Sequence, residues 1–270
     1  MLLTAAAGFY LGGAAGQAVD LRLLASTLLG TALVAAGTNA FNQLRERDAD
    51  GRMERTRRRP LPSGRISPRA AGLFAGLIST AGVVYLGVAV NLVTAGLAAL
   101  TLASYVLLYT PLKRTTPLNT LIGAVPGALP IVGGWTAAGG ELGPAVVALF
   151  WILFLWQLPH FLALSWIYRE DYRRGGFAML SVRDPDGRQT GWVSFLYALT
   201  LVPVSLLPTL FGVTGRIYFF GALVLGLAYV GATLIMSRAA TVPRAWRVFL
   251  VSVLYLPALL TLMVVDKVRA

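Results

Sequence analysis

Charged side chains are distributed so unevenly that they cut this chain into long uncharged runs: residues 1–19, 23–44, 70–112, 115–140, 142–168, 189–215, 217–237 and 248–265. About 20 consecutive apolar residues carry a helix across the hydrocarbon core of a bilayer. There every backbone N–H and C=O must find a partner within the segment, which a helix provides. Seven of the runs suit one crossing each. The run 70–112 has length for two, with Asn91 at the turn. The chain therefore reads as an all-α, polytopic membrane protein with nine transmembrane helices, forming one integral membrane domain over residues 1–270. The first crossing is expected to be short and loosely anchored, or to start upstream, because Gly8, Gly12, Gly13 and Gly16 interrupt it and no basic residue precedes it. For the same reason it does not read as a cleaved signal peptide.

Composition agrees and narrows the chemistry. Hydrophobic residues make up 57% and charged residues 13%, where a soluble domain carries about 25% charged residues. The absence of cysteine removes disulfide scaffolds, thiolate metal sites and cysteine nucleophiles. A single histidine removes His-rich zinc sites. The net charge of +12 would suit a nucleic-acid binder, but the positions of the charges argue otherwise. With nine alternating helices, the loops 43–69, 113–116, 169–190 and 238–247 share one side and hold 19 of the 23 Lys and Arg; Arg22, Arg216, Lys267 and Arg269 remain for the other. Basic residues accumulate in cytoplasmic loops. The amino terminus and the basic loops are thus expected in the cytoplasm and the carboxyl terminus outside, with the bilayer as partner and no nucleic acid.

Acidic residues contribute little to orientation, so their placement needs another cause. Eight of the 11 lie in two regions on the cytoplasmic side: Glu46, Asp48, Asp50 and Glu54, then Glu170, Asp171, Asp184 and Asp186. Asn42, Glu46 and Asp50 are spaced i, i+4, i+8, which places three oxygen donors on one stripe of a helix. Such a stripe at the end of an apolar helix suits Mg²⁺, an ion that accepts one or two carboxylates, keeps waters and is completed by substrate phosphates. Asp48 falls on another face, and Gly51 leaves open whether Asp50 is helical or in the loop. Equally, the acids could simply offset the nine arginines of a solvated loop. The arginines Arg55, Arg57, Arg58 and Arg59 first satisfy the topology signal. Beside carboxylates able to hold Mg²⁺ they also suit a polyphosphate, because guanidinium forks match phosphate oxygens. Tyr109 and Lys113 form a further i, i+4 pair, and Lys113 is one of only two lysines against 21 arginines.

The segment from Asn42 to Arg65, NQLRERDADGRMERTRRRPLPSGR, resembles the first signature of the UbiA superfamily of intramembrane prenyltransferases, and most closely that of its protohaem IX farnesyltransferase branch. Three further segments are similar: YTPLKRTTPLNTLIGAVPGALPIVGGW from Tyr109, WQLPHFLAL from Trp156 and REDYRRGGFAML from Arg169. The similarity covers about residues 30 to 190, and more loosely the remainder. Glu46 stands where the family has Asp. Ala178-Met179-Leu180-Ser181 stands where the family has Pro-Met-Leu-Pro. A Lys-Pro-Arg stretch usual before the first helix is missing. His160 stands where quinone-precursor relatives have Asp.

The resemblance implies a fold of nine helices around a central cavity and a Mg²⁺-dependent enzyme that transfers farnesyl from farnesyl diphosphate to haem b, with water addition, giving haem O. It implies that Asn42, Glu46, Asp50 and Asp171 hold Mg²⁺ and, with Tyr109 and Lys113, form the catalytic set. It implies substrate binding by Arg55, Arg58, Arg59, Lys113, Arg114, Asn119, His160 and Tyr172, and a haem A synthase or an oxidase assembly factor as partner in the inner (plasma) membrane. His160 is ionisable and lies at membrane depth, where such a group is a functional candidate. It could ligate haem iron, contact a propionate or simply bond between helices. Two other readings are a prenyltransferase acting on a quinone precursor and a transporter. Transporters place binding groups near the midplane, whereas here the acids gather at one face.

Overall fold

The computed structural model describes residues 1–14 and 16–268. These form eleven helices: α1 (Leu2–Gly12), α2 (Leu21–Asp50), α3 (Pro68–Ala89), α4 (Leu92–Leu112), α5 (Asn119–Ala137), α6 (Pro144–Ile167), α7 (Arg169–Gly175), α8 (Leu180–Arg183), α9 (Arg188–Leu210), α10 (Arg216–Arg238) and α11 (Val242–Val265). Eight of them, α2 to α6 and α9 to α11, are long and apolar enough to cross a membrane. With the shorter apolar α1 they account for the nine helices expected. The boundaries follow local chemistry. Asp20 caps α2 by accepting from the N–H groups of Arg22 and Leu23. Ser67 caps α3 just before Pro68, and Asn91 makes the turn between α3 and α4 by accepting from Thr94 N–H at 2.8 Å. Each side chain satisfies amide donors that the first helical turn leaves free.

Packing follows chain order in two groups that meet at α6. α2 lies on α3, α3 on α4, α4 on α5 and α5 on α6. The second half follows with α9 against α6, then α10, then α11, which returns to α6. The main core runs through α1, α5, α6 and α9 to α11, with Ile131, Leu149, Ile152, Leu201, Tyr218 and Tyr255 nearly inaccessible.

The 11 residues of α1 reach about 16 Å at 1.5 Å per residue, half of a hydrocarbon core. It is short, as expected, but not loosely anchored. Phe9 and Leu11 are buried, and Gly12 lies so close to α5 that a Cβ there would come within 2.5 Å of the Trp135 carbonyl oxygen. Its glycines permit that approach, so they hold the helix in place rather than weaken it.

The two ends of the bundle separate the charges as the loop arithmetic requires. At one end the segment after α2, the turn after α4 and the α6–α9 connection are tied together: Asp171 accepts from Glu54 and Arg55 N–H, Ala178 N–H donates to Lys113 O, and Arg183 donates to Thr115 O. At the other end Lys267 donates to the carbonyls of Tyr10 and Gly13. Arg22 and Arg216 begin α2 and α10 at that end; Arg269 lies outside the described residues. At 30 residues α2 is about 45 Å long. That exceeds the roughly 30 Å hydrocarbon thickness and carries the last turns of α2 out to the basic end.

Candidate active site at the basic mouth

Asn42, Glu46 and Asp50 occupy one face of the last turns of α2. The helix continues through Asp50, where Gly51 N–H still donates to Arg47 O at 3.0 Å, so Asp50 is a helical residue. Glu46 and Asp50 are 5% and 1% exposed, while Asp48 points into solvent. A carboxylate is withdrawn from water at a large cost unless it is paired and hydrogen-bonded, so the partners of these two groups define the site.

Glu46 faces Lys113 at 2.8 Å. Lys113 also donates to Asn42 Oδ1 at 3.3 Å, and Asn42 Nδ2 donates to Glu46 Oε2 at 3.1 Å. The Thr110 hydroxyl lies 3.3 Å from the same Asn42 oxygen. The Lys113 ammonium lies 4.5 Å from the centre of the Tyr109 ring, a cation–π distance. Burial works against its charge, but the Tyr109 and Tyr105 phenols and the Glu46 carboxylate outweigh it, so its pKa stands above the ordinary lysine value. One turn further along α2, Asp50 Oδ2 accepts from Arg59 at 2.9 Å. Asp50 Oδ1 has no partner among the described residues, and Glu46 Oε1 has its ionic contact but no aligned hydrogen bond.

These groups surround a cavity of about 130 Å³. Eight of the thirteen residues expected to form the site line it: Asn42, Glu46, Asp50, Arg55, Arg59, Tyr109, Lys113 and Tyr172. Arg55 is held over the rings of Tyr172 and Tyr168, at 4.9 and 5.3 Å. Met53, Phe177 and Met179 form the apolar wall; nothing in the sequence singled them out. Larger hollows exist, one of about 460 Å³ at the opposite end and a lipid-facing groove of about 640 Å³ between α10 and α11. Neither is lined by a buried acid with an unpartnered oxygen.

The remaining five expected residues lie elsewhere. Asp171, expected across the cavity as a metal ligand, is not in the wall. Its two oxygens accept from the backbone N–H groups of Glu54 and Arg55, at 3.1 and 3.4 Å, clasping the segment that carries Arg55. Arg58 and Arg114 are exposed outside the cavity. Asn119 is fully buried and donates to Thr116 O and Ala178 O. It joins the turn that carries Lys113 to the strip behind the cavity instead of facing a substrate. His160 lies within α6, away from this wall.

Local backbone chemistry positions Lys113. Within α4 the segment Ser104–Tyr109 is a π-helix. Pro111 has no N–H to continue the ordinary ladder, and Thr110 donates both its N–H and its hydroxyl to Tyr105 O. Single π turns inside helices are a recurrent functional-site device. The Thr-Pro pair was the available signal for it, and Thr110 went unrecognised as a neighbour of Asn42. The two departures from the family's Pro-Met-Leu-Pro also have structural meaning. Ala178 N–H donates to Lys113 O at 2.7 Å, and the Ser181 hydroxyl donates to Ser165 O at 2.9 Å. Proline can make neither bond.

The donor set fits a hard divalent cation. Two buried carboxylates and an amide oxygen share one wall, and Asp50 Oδ1 is unpartnered. No group of three or more His, Cys, Asp or Glu converges among the described residues. Such a set would supply part of a coordination sphere, as in Mg²⁺ sites completed by phosphates.

The sequence profile of the UbiA prenyltransferase family matches residues 1–259. The chain belongs to that family. Among relatives of this UbiA-family chain, a protein of Solibacter usitatus named protoheme IX farnesyltransferase is 49% identical over 249 residues, covering 92% of this chain and 85% of that one. A Salinibacter ruber protein of the same name is 48% identical over 264 residues, covering 98% and 93%. Among solved structures, one from a study of digeranylgeranylglyceryl phosphate synthase superposes with a TM-score of 0.80 at 18% identity, over 98% of this chain and 92% of that one. A UbiA homolog from Archaeoglobus fulgidus bound to GPP and Mg²⁺ gives 0.65 at 18%, over 97% and 94%. At such identities the structures establish the shared fold.

Within this UbiA fold, His160 sits in α6 on the basic side of its midpoint. Its Nδ1 lies 2.7 Å from Ser252 Oγ of α11, and its ring is sandwiched between Trp156 and Phe249, with centroids 5.4 and 4.9 Å away. Trp156 in turn donates to Ser252 O. Trp135 donates to Glu141 O, a structural bond at the opposite end.

Proposed function

We propose that the chain transfers the farnesyl group of farnesyl diphosphate to a vinyl carbon of haem b, with capture of water, giving haem O and diphosphate. The arrangement that carries this reading is the pairing of the buried, incompletely satisfied acids Glu46 and Asp50 with Lys113 and Arg59 at one mouth of an otherwise apolar bundle. Its acceptor is supported by close relatives named protoheme IX farnesyltransferase. The diphosphate would lie in the mouth, with its tail among the apolar helices. Mg²⁺ would be held by Asn42, Glu46 and Asp50, the three donors on the cavity wall; Asp171 would act through the loop it clasps. When bound, the ion neutralises negative charge on the diphosphate oxygens.

The chain's own groups then divide the work. Arg59 and Lys113 are presently held by Asp50 and Glu46, and those carboxylates would turn to the metal, freeing both cations for the diphosphate. Arg55, fixed by two tyrosine rings, adds a third. Together they stabilise charge as the C–O bond of the allylic diphosphate breaks. The vinyl carbon attacks the allylic cation, and water then adds to the resulting porphyrin-side cation with loss of a proton. The bundle keeps water from the allylic cation until the C–C bond forms. With 19 of 23 basic side chains at the mouth end, that end would face the cytoplasm of a bacterial inner membrane.

Incubating purified protein with haem b, farnesyl diphosphate and Mg²⁺, followed by mass analysis of the extracted porphyrin, tests the proposal. A mass gain of farnesyl plus hydroxyl is expected. Unchanged haem together with prenylation of a quinone precursor would move the acceptor to that class.

A further inference from the structure

The chain has one histidine, and its hydrogen bonds specify its protonation pattern. Ser252 is fully buried, and its hydroxyl lies 2.5 Å from Phe249 O as well as 2.7 Å from His160 Nδ1. A hydroxyl has one proton and two acceptor positions. Two oxygens 2.5 Å apart must share a proton, and the Phe249 carbonyl has none to give. The serine proton therefore goes to Phe249 O, and the bond to His160 has to be donated by Nδ1–H. A neutral imidazole protonated at Nδ1 carries its lone pair on Nε2. Nε2 has no hydrogen-bond partner among the described residues and is not fully sealed from contact with a ligand.

The surroundings of that nitrogen suit a flat apolar ligand. Besides the sandwiching Trp156 and Phe249, Phe161 packs edge-on against His160 and Trp246 edge-on against Phe249. Phe161 and Trp246 are 37% and 39% exposed, so this aromatic cluster around His160 is partly accessible. The ring itself is immobilised by bonds that reach three helices: Trp156 Nε1 donates to Ser252 O, and Tyr229 of α10 donates to Trp156 O.

The geometry points to Ser252 as the residue that fixes His160 in its Nδ1–H tautomer, presenting Nε2 as an axial ligand to the iron of the porphyrin acceptor. This inference rests on the reading that haem is the acceptor. The coordinate bond uses the Nε2 lone pair, so ligation releases no proton. Ser252 is a positioning residue, doing for the imidazole what outer partners do for metal-bound histidines generally.

The test uses the whole chain, ¹⁵N-labelled at histidine, in lipid nanodiscs. One histidine gives one pair of ring-nitrogen signals, so assignment is unambiguous. Without haem, one protonated nitrogen, Nδ1, and one bare nitrogen, Nε2, are expected. Ser252→Ala should give a mixture of tautomers, and Ser252→Thr, which keeps the oxygen, should restore the single form. On titration with haem b, the wild type should show a histidine-ligated Soret band, His160→Ala should lose it, and Ser252→Ala should bind roughly tenfold more weakly. An Nε2-protonated ring in the wild type overturns the inference. So does an unchanged haem spectrum in His160→Ala when the wild type farnesylates haem, and in that case the function stands. Failure of the wild type to farnesylate haem removes the iron ligation together with the proposed function. The haem-free tautomer result shows which part failed.

Discussion

The chain has two lysines, at opposite ends of the bundle, and their settings differ in one respect that separates a site from a structural clasp. Lys267 donates to the carbonyls of Tyr10 and Gly13 and lies 5.1 Å from the Tyr10 ring. Its neighbour Asp266 accepts from Tyr218 N–H at the start of α10, at 2.7 Å. There the polar groups tie the chain terminus to α1 and α10 through bonds that fix all of them. Lys113 also meets an acid, but that acid keeps an oxygen without an aligned bond, and Asp50 beside it keeps one with no partner. Buried polar groups are nearly always satisfied, and the exceptions call for a cause. In the proposed function these two oxygens would serve as donors to a bound cation. The two lysines titrate in opposite directions as well: burial lowers Lys267, while the phenols and Glu46 hold Lys113 up against its burial.

The comparison breaks most decisively if the incompletely satisfied acids prove dispensable. Asp50→Asn and Glu46→Gln keep shape and remove charge, so folding should survive, as a thermal melt would establish. Turnover measured by diphosphate release should fall at least about 100-fold in each, the scale of losing one preorganised electrostatic contact. The Mg²⁺ concentration for half-maximal activity should rise. Lys113→Met should cost a comparable factor. Because the Lys113 pKa is raised, it stays protonated throughout the neutral range. The wild-type pH profile should therefore carry no limb from its deprotonation below the ordinary lysine value. An activity loss centred near pH 8 that disappears in Lys113→Met would contradict that assignment.

How far this division could be read in advance varies by residue. The i, i+4, i+8 spacing of Asn42, Glu46 and Asp50 put them on one face because a helix imposes that periodicity whatever surrounds it, and the uncharged runs located the helices for the same reason. The nearness of Lys113 to that face depends on packing α4 beside α2, which no local spacing encodes. Pairings across loops were less legible still. Arg59 was one of four neighbouring arginines able to meet Asp50, and the turns after Gly51 select it. Asp171 entered the expected ligand set through the family resemblance, with acids in two loops at one depth inviting a shared cation. The fold instead brings the backbone of Glu54 and Arg55 to it. The seat of α1 was misjudged because glycines in a short helix signal weakness when read alone and close approach when a partner helix is present.

A sharper, medium-sized test concerns Asp171. As a backbone clasp it needs only acceptor oxygens, so Asp171→Asn should retain activity within about tenfold. Asp171→Ala should lose more, through a raised KM for the diphosphate as Arg55 is released. A loss beyond about 100-fold in Asp171→Asn, with a changed Mg²⁺ requirement, would return Asp171 to the metal. At the opposite end Lys267→Met should leave turnover unchanged and lower the melting temperature by a few degrees, about 1 kcal/mol for its charged hydrogen bonds in a half-exposed setting. The folded pKa of Lys267 is lowered, so the unfolded chain binds more protons between the two values and stability rises with pH there. That rise, read as melting temperature toward pH 10, should be absent in the variant.

The smallest expected effect probes the connection behind the mouth. Ala178 N–H donates to Lys113 O, and Asn119 donates to Ala178 O, so residue 178 is bonded on both sides to the turn that presents Lys113. Ala178→Pro restores the residue of the family pattern but deletes the N–H, leaving Lys113 O to find another donor. One neutral hydrogen bond contributes about 1 kcal/mol, and Asn119 would still hold the strip in place. A loss of turnover below about fivefold is expected, expressed in KM for the diphosphate rather than in the maximal rate, because the cationic turn is loosened while the acids of α2 stay put. A loss as large as that of Lys113→Met would mean that the turn has no support except this one bond, and the rigid part of the site would then end at α2.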